Sequence, residues 1–260
     1  MLTQEQIEFY RENGYLLVKG IFTKAEAAAF RQEAHDLIAR LATTRNLDAT
    51  WGAARETSDQ AKKTQIFHCH NVQFQSALLG SIMFKKELMD AASEVIGSPN
   101  VALHHNKLFI KPPEKGSPFP MHQDVPYFPH DKHSMIAAVV HFDNAPIEKG
   151  CIRVVPGSHK LGPIEHQQGG GWHLPFEQYP IESSVPCPAE AGDVLFFSYL
   201  TIHGSGINVS NEARTTCLFQ LRDPSDMPSV NTHLSRGQGM VLRGIDPTGR
   251  YYGLGEGMGM

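Results

Sequence analysis

The sequence predicts a mainly β protein with flanking α-helices, organised around a double-stranded β-helix, or jelly-roll, core. Three observations carry that expectation. Helical periodicity is confined to the N-terminal part of the chain. From Val101 onward the pattern changes to short apolar runs split by Pro, Gly and Asp, as in antiparallel strands joined by turns. Finally, 260 residues at 41% hydrophobic content are enough for one large core, and no composition shift marks a second. The expected organisation is a single domain over 1–260: a helical layer to about residue 97, a β-core over about 101–222 and a loop-rich tail over 223–260.

Thr3 to Asn13 reads as a helix capped by Thr3, with Gln6 at the capping-box position and Gly14 as its stop. Tyr15–Val18 follows as a short strand. A second helix opens at Thr23 with Glu26 completing a capping box, and Ala27, Phe30, Ala34, Leu37, Ile38 and Leu41 give it an apolar stripe. The polar stretch 43–64 reads as loop. Phe84 to Ile96 reads as a helix ended by Gly97. Strands are expected at 101–111, 119–124, 135–142, 151–155, 193–198, 201–203 and 214–222, with 162–188 a long insertion.

Composition excludes several classes. The formal net charge is −4 and no basic stripe exists to follow nucleic acid or an anionic membrane. No run approaches the ~20 apolar residues of a membrane span. The N-terminal Met1–Gln6 is polar and does not read as a signal peptide. Cys69, Cys151, Cys187 and Cys217 form no C-x-x-C pair, which fits a reduced cytoplasm. The expected partner is a small-molecule substrate, with no nucleic acid and no membrane.

The chemistry concentrates at His122 and Asp124, two residues apart, and at His203 far downstream. Side chains at i and i+2 leave a strand on one face. Two imidazoles and one carboxylate on one side of an ion form the facial triad of non-haem Fe(II), with positions left open. An isolated H-x-D pair more often arises by chance as a hydrogen-bonded turn. Here it adjoins an expected strand, a second His follows the apolar run Val194–Phe197, and Arg214 follows on another expected strand. Gln123 falls on the opposite face. Arg214 suits the far carboxylate of a 2-oxo acid, because guanidinium binds carboxylate bidentately, and Ser205 could add a hydroxyl. The bland alternatives are a surface ion pair of Arg214 with Glu212 or Asp193, and a turn role for Ser205. Met121 reads as core, and His159 reads as structural, beside a Pro-Gly turn.

These residues carry a resemblance to the phytanoyl-CoA dioxygenase family of Fe(II)/2-oxoglutarate-dependent oxygenases. The matching stretches are Lys111–Glu114, His122–Asp124 with Tyr127–Pro129, Gly150–Lys160, Gly192–Asp193, His203–Gly206 with Asn208 and Arg214, and the opening Phe9–Tyr15. The resemblance implies Fe(II) held by His122, Asp124 and His203, 2-oxoglutarate held by Ser205 and Arg214, dioxygen as co-reactant, and hydroxylation of an unactivated C–H with release of succinate and CO2. It also makes Asn106 or Lys107 a cosubstrate contact. Where many members carry a Trp before the Gly-Cys motif, this chain has Val139-Val140-His141. Two other readings stay open on the residues alone: a cupin-like Zn or Mn hydrolase or isomerase using the same triad, and a non-catalytic barrel.

Overall fold

The computed structural model describes residues 1–42, 66–114, 116–169, 171–230 and 232–249. The expected loop at 43–64 lies outside them. Helix α1 (Gln4–Asn13) has the anticipated capping box between Thr3 and Gln6, and Gly14 ends it in the left-handed region at φ 77°. Strand β1 (Tyr15–Val18) follows. Helix α2 (Lys24–Ala42) opens on reciprocal Thr23–Glu26 bonds. A short strand β2 (Phe67–His70), helix α3 (Ala77–Ser81) and helix α4 (Lys86–Ile96) precede the main β-region. No helix among the described residues is long and apolar enough to cross a membrane.

Strands β3 (Val101–Lys111), β4 (Phe119–His122), β5 (Ile136–His141) and β6 (Ile152–Val154) come next. They are followed by β7 (Gln167–Gln168), β8 (Trp172–His173), β9 (Val185–Cys187), β10 (Val194–Ser198), β11 (His203–Ser205), β12 (Arg214–Arg222) and β13 (Val241–Arg243). The large sheet runs β1-β10-β5-β12-β3-β13, with β2 also on β3. The small sheet runs β4-β11-β6-β9, and every pairing in both is antiparallel.

Strand alternation sorts the large sheet into two faces. On one face Leu108, Ile110, Ala138, Val140, Phe196, Cys217 and Phe219 pack against Phe30, Leu37, Leu79 and Leu88 of the helical layer. On the other, Val139, Leu195 and Phe197 meet Ile152, Val154 and Cys187 of the small sheet. The functional side chains lie between the sheets.

Three expectations need correction. The 162–188 segment is no simple insertion. It holds the β7–β8 ribbon and supplies β9 as the outer strand of the small sheet. The tail after Arg222 adds β13 to the large sheet beside Val101 and Ala102. The strand expected at 119–124 stops at His122, so Asp124 does not reach the site by strand alternation. Its placement comes from its backbone N–H, which donates to the Tyr199 carbonyl at 2.9 Å.

Candidate metal centre and cavity

His122 and His203 are cross-strand partners of β4 and β11, and their ring centroids are 4.2 Å apart. Asp124 Oδ1 lies 3.5 Å from His122 Nε2 and 3.7 Å from His203 Nε2. One ligand atom from each residue lies within 4.8 Å of the other two, and all three residues are buried. Both imidazoles are oriented the same way. His122 Nδ1 donates to the Pro120 carbonyl at 2.8 Å, and His203 Nδ1 donates to the Thr201 carbonyl at 2.9 Å. That fixes the tautomer and leaves each Nε2 lone pair facing the shared space. Gly204 permits the arrangement, because a Cβ there would lie 2.6 Å from the Phe119 carbonyl oxygen on β4.

Gln220 completes the support: its Nε2 donates to Asp124 Oδ2 at 2.6 Å from the large sheet. Burial pushes the Asp124 carboxyl up, but His203, His122 and Gln220 outweigh it and hold the pKa below its ordinary value. Burial lowers His203 to about 4, against the pull of Asp124. Asp124 therefore stands as a carboxylate and His203 as a neutral imidazole at neutral pH. Replacing Gln220 with leucine is expected to cost about 10- to 100-fold in metal affinity, measured by Fe(II) or Mn(II) titration. An unchanged affinity would contradict this orienting role.

The same burial predicts acid sensitivity. His104 is lowered to about 2 and His141 to about 3, like His203 chiefly by burial, from an ordinary 6.5. A folded pKa below the unfolded one means the unfolded chain takes up protons first. Stability is therefore whole above pH 6.5 and is lost as pH falls toward the folded values. Each group contributes up to about 1.4 kcal/mol per pH unit. The Tm of the metal-free protein should fall steeply over that acid range. A flat profile would contradict the neutral burial of these rings.

A cavity of about 130 Å³ adjoins the triad, lined by His122, Asp124 and His203 at one part and by Ser205 and Arg214 at another. Arg214 is 4% exposed and donates through Nη1 to the Gly150 carbonyl, while its Nε has no partner. It is no surface ion pair. Burial lowers its pKa to about 10, which leaves it charged. Lys111 escaped notice in the sequence except as part of a motif. It is fully buried and donates to Ser205 Oγ at 2.7 Å and to the Gly206 carbonyl at 2.5 Å. Burial, then Arg214, push its pKa well below the usual lysine range. Arg214 and Lys111 are register partners across β12 and β3, so a second basic group stands behind Ser205 at the Arg214 end of the cavity.

The two further cosubstrate candidates separate. Asn106 lies on the helical face of β3. Its Oδ1 accepts from the Val72 N–H at 2.8 Å and its Nδ2 donates to Gln73 at 2.6 Å. That committed carboxamide removes Asn106 from the cavity. Lys107 lies on the cavity face, its ammonium 4.8 Å from the Phe109 ring centroid. Gln123 turns away from the triad, as its position implied, and bonds the carbonyls of Gly162 and Leu200. Met121 is core with Leu174 and Ile202. His159 bonds the Arg11 carbonyl in a structural role.

Residues 10–216 match the family described as Phytanoyl-CoA dioxygenase (PhyH). The peroxisomal phytanoyl-CoA dioxygenase of Bos taurus is 31% identical over 232 residues, 82% of this chain and 66% of that protein. The chain thus spans about two thirds of that relative's length. The fold matches the crystal structure of the non-heme alpha ketoglutarate dependent epimerase SnoN from nogalamycin biosynthesis with TM-score 0.68 and 25% identity, over 86% of this chain and 84% of that one. It also matches the carbocyclase SnoK of the same biosynthesis with TM-score 0.72 and 22% identity, over 87% and 86%. With the family matched across most of the chain and the triad closed between the sheets, the chain belongs to the phytanoyl-CoA dioxygenase family of Fe(II)/2-oxoglutarate-dependent oxygenases.

Proposed function

We propose that this protein hydroxylates an unactivated C–H of a small organic substrate, with His122, Asp124 and His203 as the Fe(II) ligands and Arg214 as the anchor of 2-oxoglutarate. One observation carries the reading: the three-donor cluster and the buried Arg214 belong to a single cavity. The donor set suits the ion. Two oriented imidazole lone pairs and one carboxylate, with no thiolate among them, match a borderline metal that must keep open positions. Bound there, Fe(II) supplies the redox chemistry through which dioxygen oxidises both 2-oxoglutarate and substrate.

The chain's own residues do the rest. Arg214 pairs with the far carboxylate of the cosubstrate, and the Ser205 hydroxyl, held by Lys111, adds a hydrogen bond. Phe109, Phe119, Phe197 and Leu218 line the cavity and exclude water from the reacting centre. The overall change balances as C–H plus 2-oxoglutarate plus O2 giving C–OH plus succinate plus CO2. One oxygen atom enters each organic product.

The setting is proposed to be the cytoplasm, supported by four buried cysteines outside any disulfide. The test is succinate release by purified protein supplied with Fe(II), ascorbate and 2-oxoglutarate. Turnover that depends on all three supports the oxygenase. A protein that needs Zn(II) or Mn(II) and ignores 2-oxoglutarate is a hydrolase or isomerase instead.

A further inference from the structure

Along the inner face of β3 the side chains run Lys111, Phe109, Lys107, His105, and β12 sets Arg214, Thr216, Leu218 and Gln220 beside them in register. Each step of two residues covers about 7 Å. Lys111 and Arg214 occupy one end, so Lys107 sits four residues, about 13 Å, toward the other. Phe109 beneath its ammonium and Leu218 beside it both line the cavity. Among the described residues no acidic side chain pairs with Lys107.

This second end is unusual in composition. A β-bulge between Gln220 and Leu221 leaves one residue of β3 extra, and His104 and His105 both turn against Phe128. Their Nδ1 atoms are 2.7 Å apart. His130 lies 5.4 Å from His104 between ring centroids. His233 arrives from the tail, 4.5 Å from His105, on a backbone with φ 51°, a conformation non-glycine residues adopt rarely. His70 is the register partner of Lys107 on β2. Two buried nitrogens of this cluster, His104 Nε2 and His130 Nε2, have no hydrogen-bond partner. A half-buried ammonium, the buried His105 and the exposed rings of His70 and His233 thus lie within one rung of the side chain that orients Asp124, with no acidic partner on Lys107 among the described residues.

We infer, resting on the oxygenase reading above, that Lys107 with His70, His105 and His233 forms a second anion subsite, which takes the carboxylate of a small organic-acid substrate. The cosubstrate's far carboxylate goes to the Arg214 end and its 2-oxo acid end belongs at the metal, so the Lys107 end is left for the substrate. One ammonium matches one monoanion. The neighbouring cation Arg222 commits its Nη1 to the carbonyls of Asp223, Pro224 and Asp226, and Lys132 Nζ bonds Ser225 at 2.9 Å. A single ammonium falls short of the set of cations that the phosphates of a CoA thioester call for. Oxidation of a C–H placed between the two ends then yields a hydroxy acid.

The experiment uses the whole protein, anaerobic, with Fe(II) and 2-oxoglutarate, and reads the visible charge-transfer band of that complex. Formation of the band before any substrate is added tests the earlier reading, and its absence overturns that reading. Straight- and branched-chain monocarboxylic acids, the primary amides of the same acids and their CoA thioesters are then titrated in. Acids should perturb the band at concentrations roughly thirtyfold or more below the matching amides. A band that no acid perturbs, or that amides or thioesters perturb equally, overturns the carboxylate subsite alone. In Lys107→Met the acid titration should shift by a similar factor and the 2-oxoglutarate titration by less than about threefold, with Lys107→Arg restoring much of the loss. A tenfold shift in the 2-oxoglutarate titration instead would assign Lys107 to the cosubstrate. The wild-type series decides the question even if the variants do not fold.

Discussion

Asp124→Ala should abolish substrate-dependent and substrate-independent 2-oxoglutarate turnover. The loss in kcat/KM should be about a thousandfold or more, since even residues that merely orient a ligand are worth 10- to 100-fold. The carboxylate is the only anionic donor of the cluster, and both imidazole Nε2 atoms face it at 3.5 and 3.7 Å. Its removal leaves two nitrogen donors and nothing to balance a divalent ion. The fold should survive. The change leaves Gln220 Nε2 without its acceptor, a cost of about 1–3 kcal/mol, read as a lower Tm of the metal-free protein. Fe(II) titration separates the two effects. A variant that folds, fails to bind Fe(II) and is inactive agrees with the assignment. A variant that keeps more than a tenth of wild-type turnover would remove Asp124 from the metal site.

Arg214→Ala should raise the KM for 2-oxoglutarate by about a hundredfold. Truncating one member of a buried charged pair costs about 2–5 kcal/mol, and the guanidinium here is buried with its Nε unpartnered. The kcat at saturating cosubstrate should change much less, because Arg214 lies away from the metal donors along the cavity. Lysine should rescue poorly, since an ammonium cannot reproduce a bidentate fork. A stability loss accompanies the kinetic one, as the Gly150 carbonyl loses its donor. Gly150 is itself constrained, with φ 65° and the space of a Cβ taken by the Gly206 carbonyl oxygen at 2.4 Å. This contact ties the Arg214 end to the loop after Ser205. An unchanged KM in Arg214→Ala would place the cosubstrate elsewhere.

How much of this was legible depended on how local the cause was. The caps of α1 and α2 rest on contacts three residues apart, and both helices begin where Thr3 and Thr23 predict. The bounds of β3 and β12 agree with the apolar runs to the residue. The missed strands had weak local signals. β2 reads Phe-His-Cys-His, β9 contains Pro186, which argues against a strand, and β13 has three residues. Each forms because a neighbour offers an edge.

The site followed the same rule. His122, Asp124, His203, Ser205 and Arg214 carry recognisable spacing and types, and the structure brings all five to one cavity. Asn106 and Lys107 could not be told apart, because a one-residue change of register exchanges the faces of a strand. Register with β12 decides between them, and it is a tertiary fact. Lys111 and Gln220 act across strands and gave no local sign. The clustered imidazoles come from positions as distant as 70 and 233, brought together by β2, by the bulge and by the returning tail.

The central claim is that three side chains from β4, the turn after it and β11 hold one ferrous ion, with a dicarboxylic cosubstrate stretched from it to Arg214. Anomalous diffraction from crystals grown anaerobically with Mn(II) and 2-oxoglutarate tests it most directly. The account predicts one metal peak bonded to His122 Nε2, Asp124 and His203 Nε2, and cosubstrate density ending on the Arg214 guanidinium. A peak on any other residues, or a cosubstrate whose far carboxylate lies away from Arg214, would contradict it.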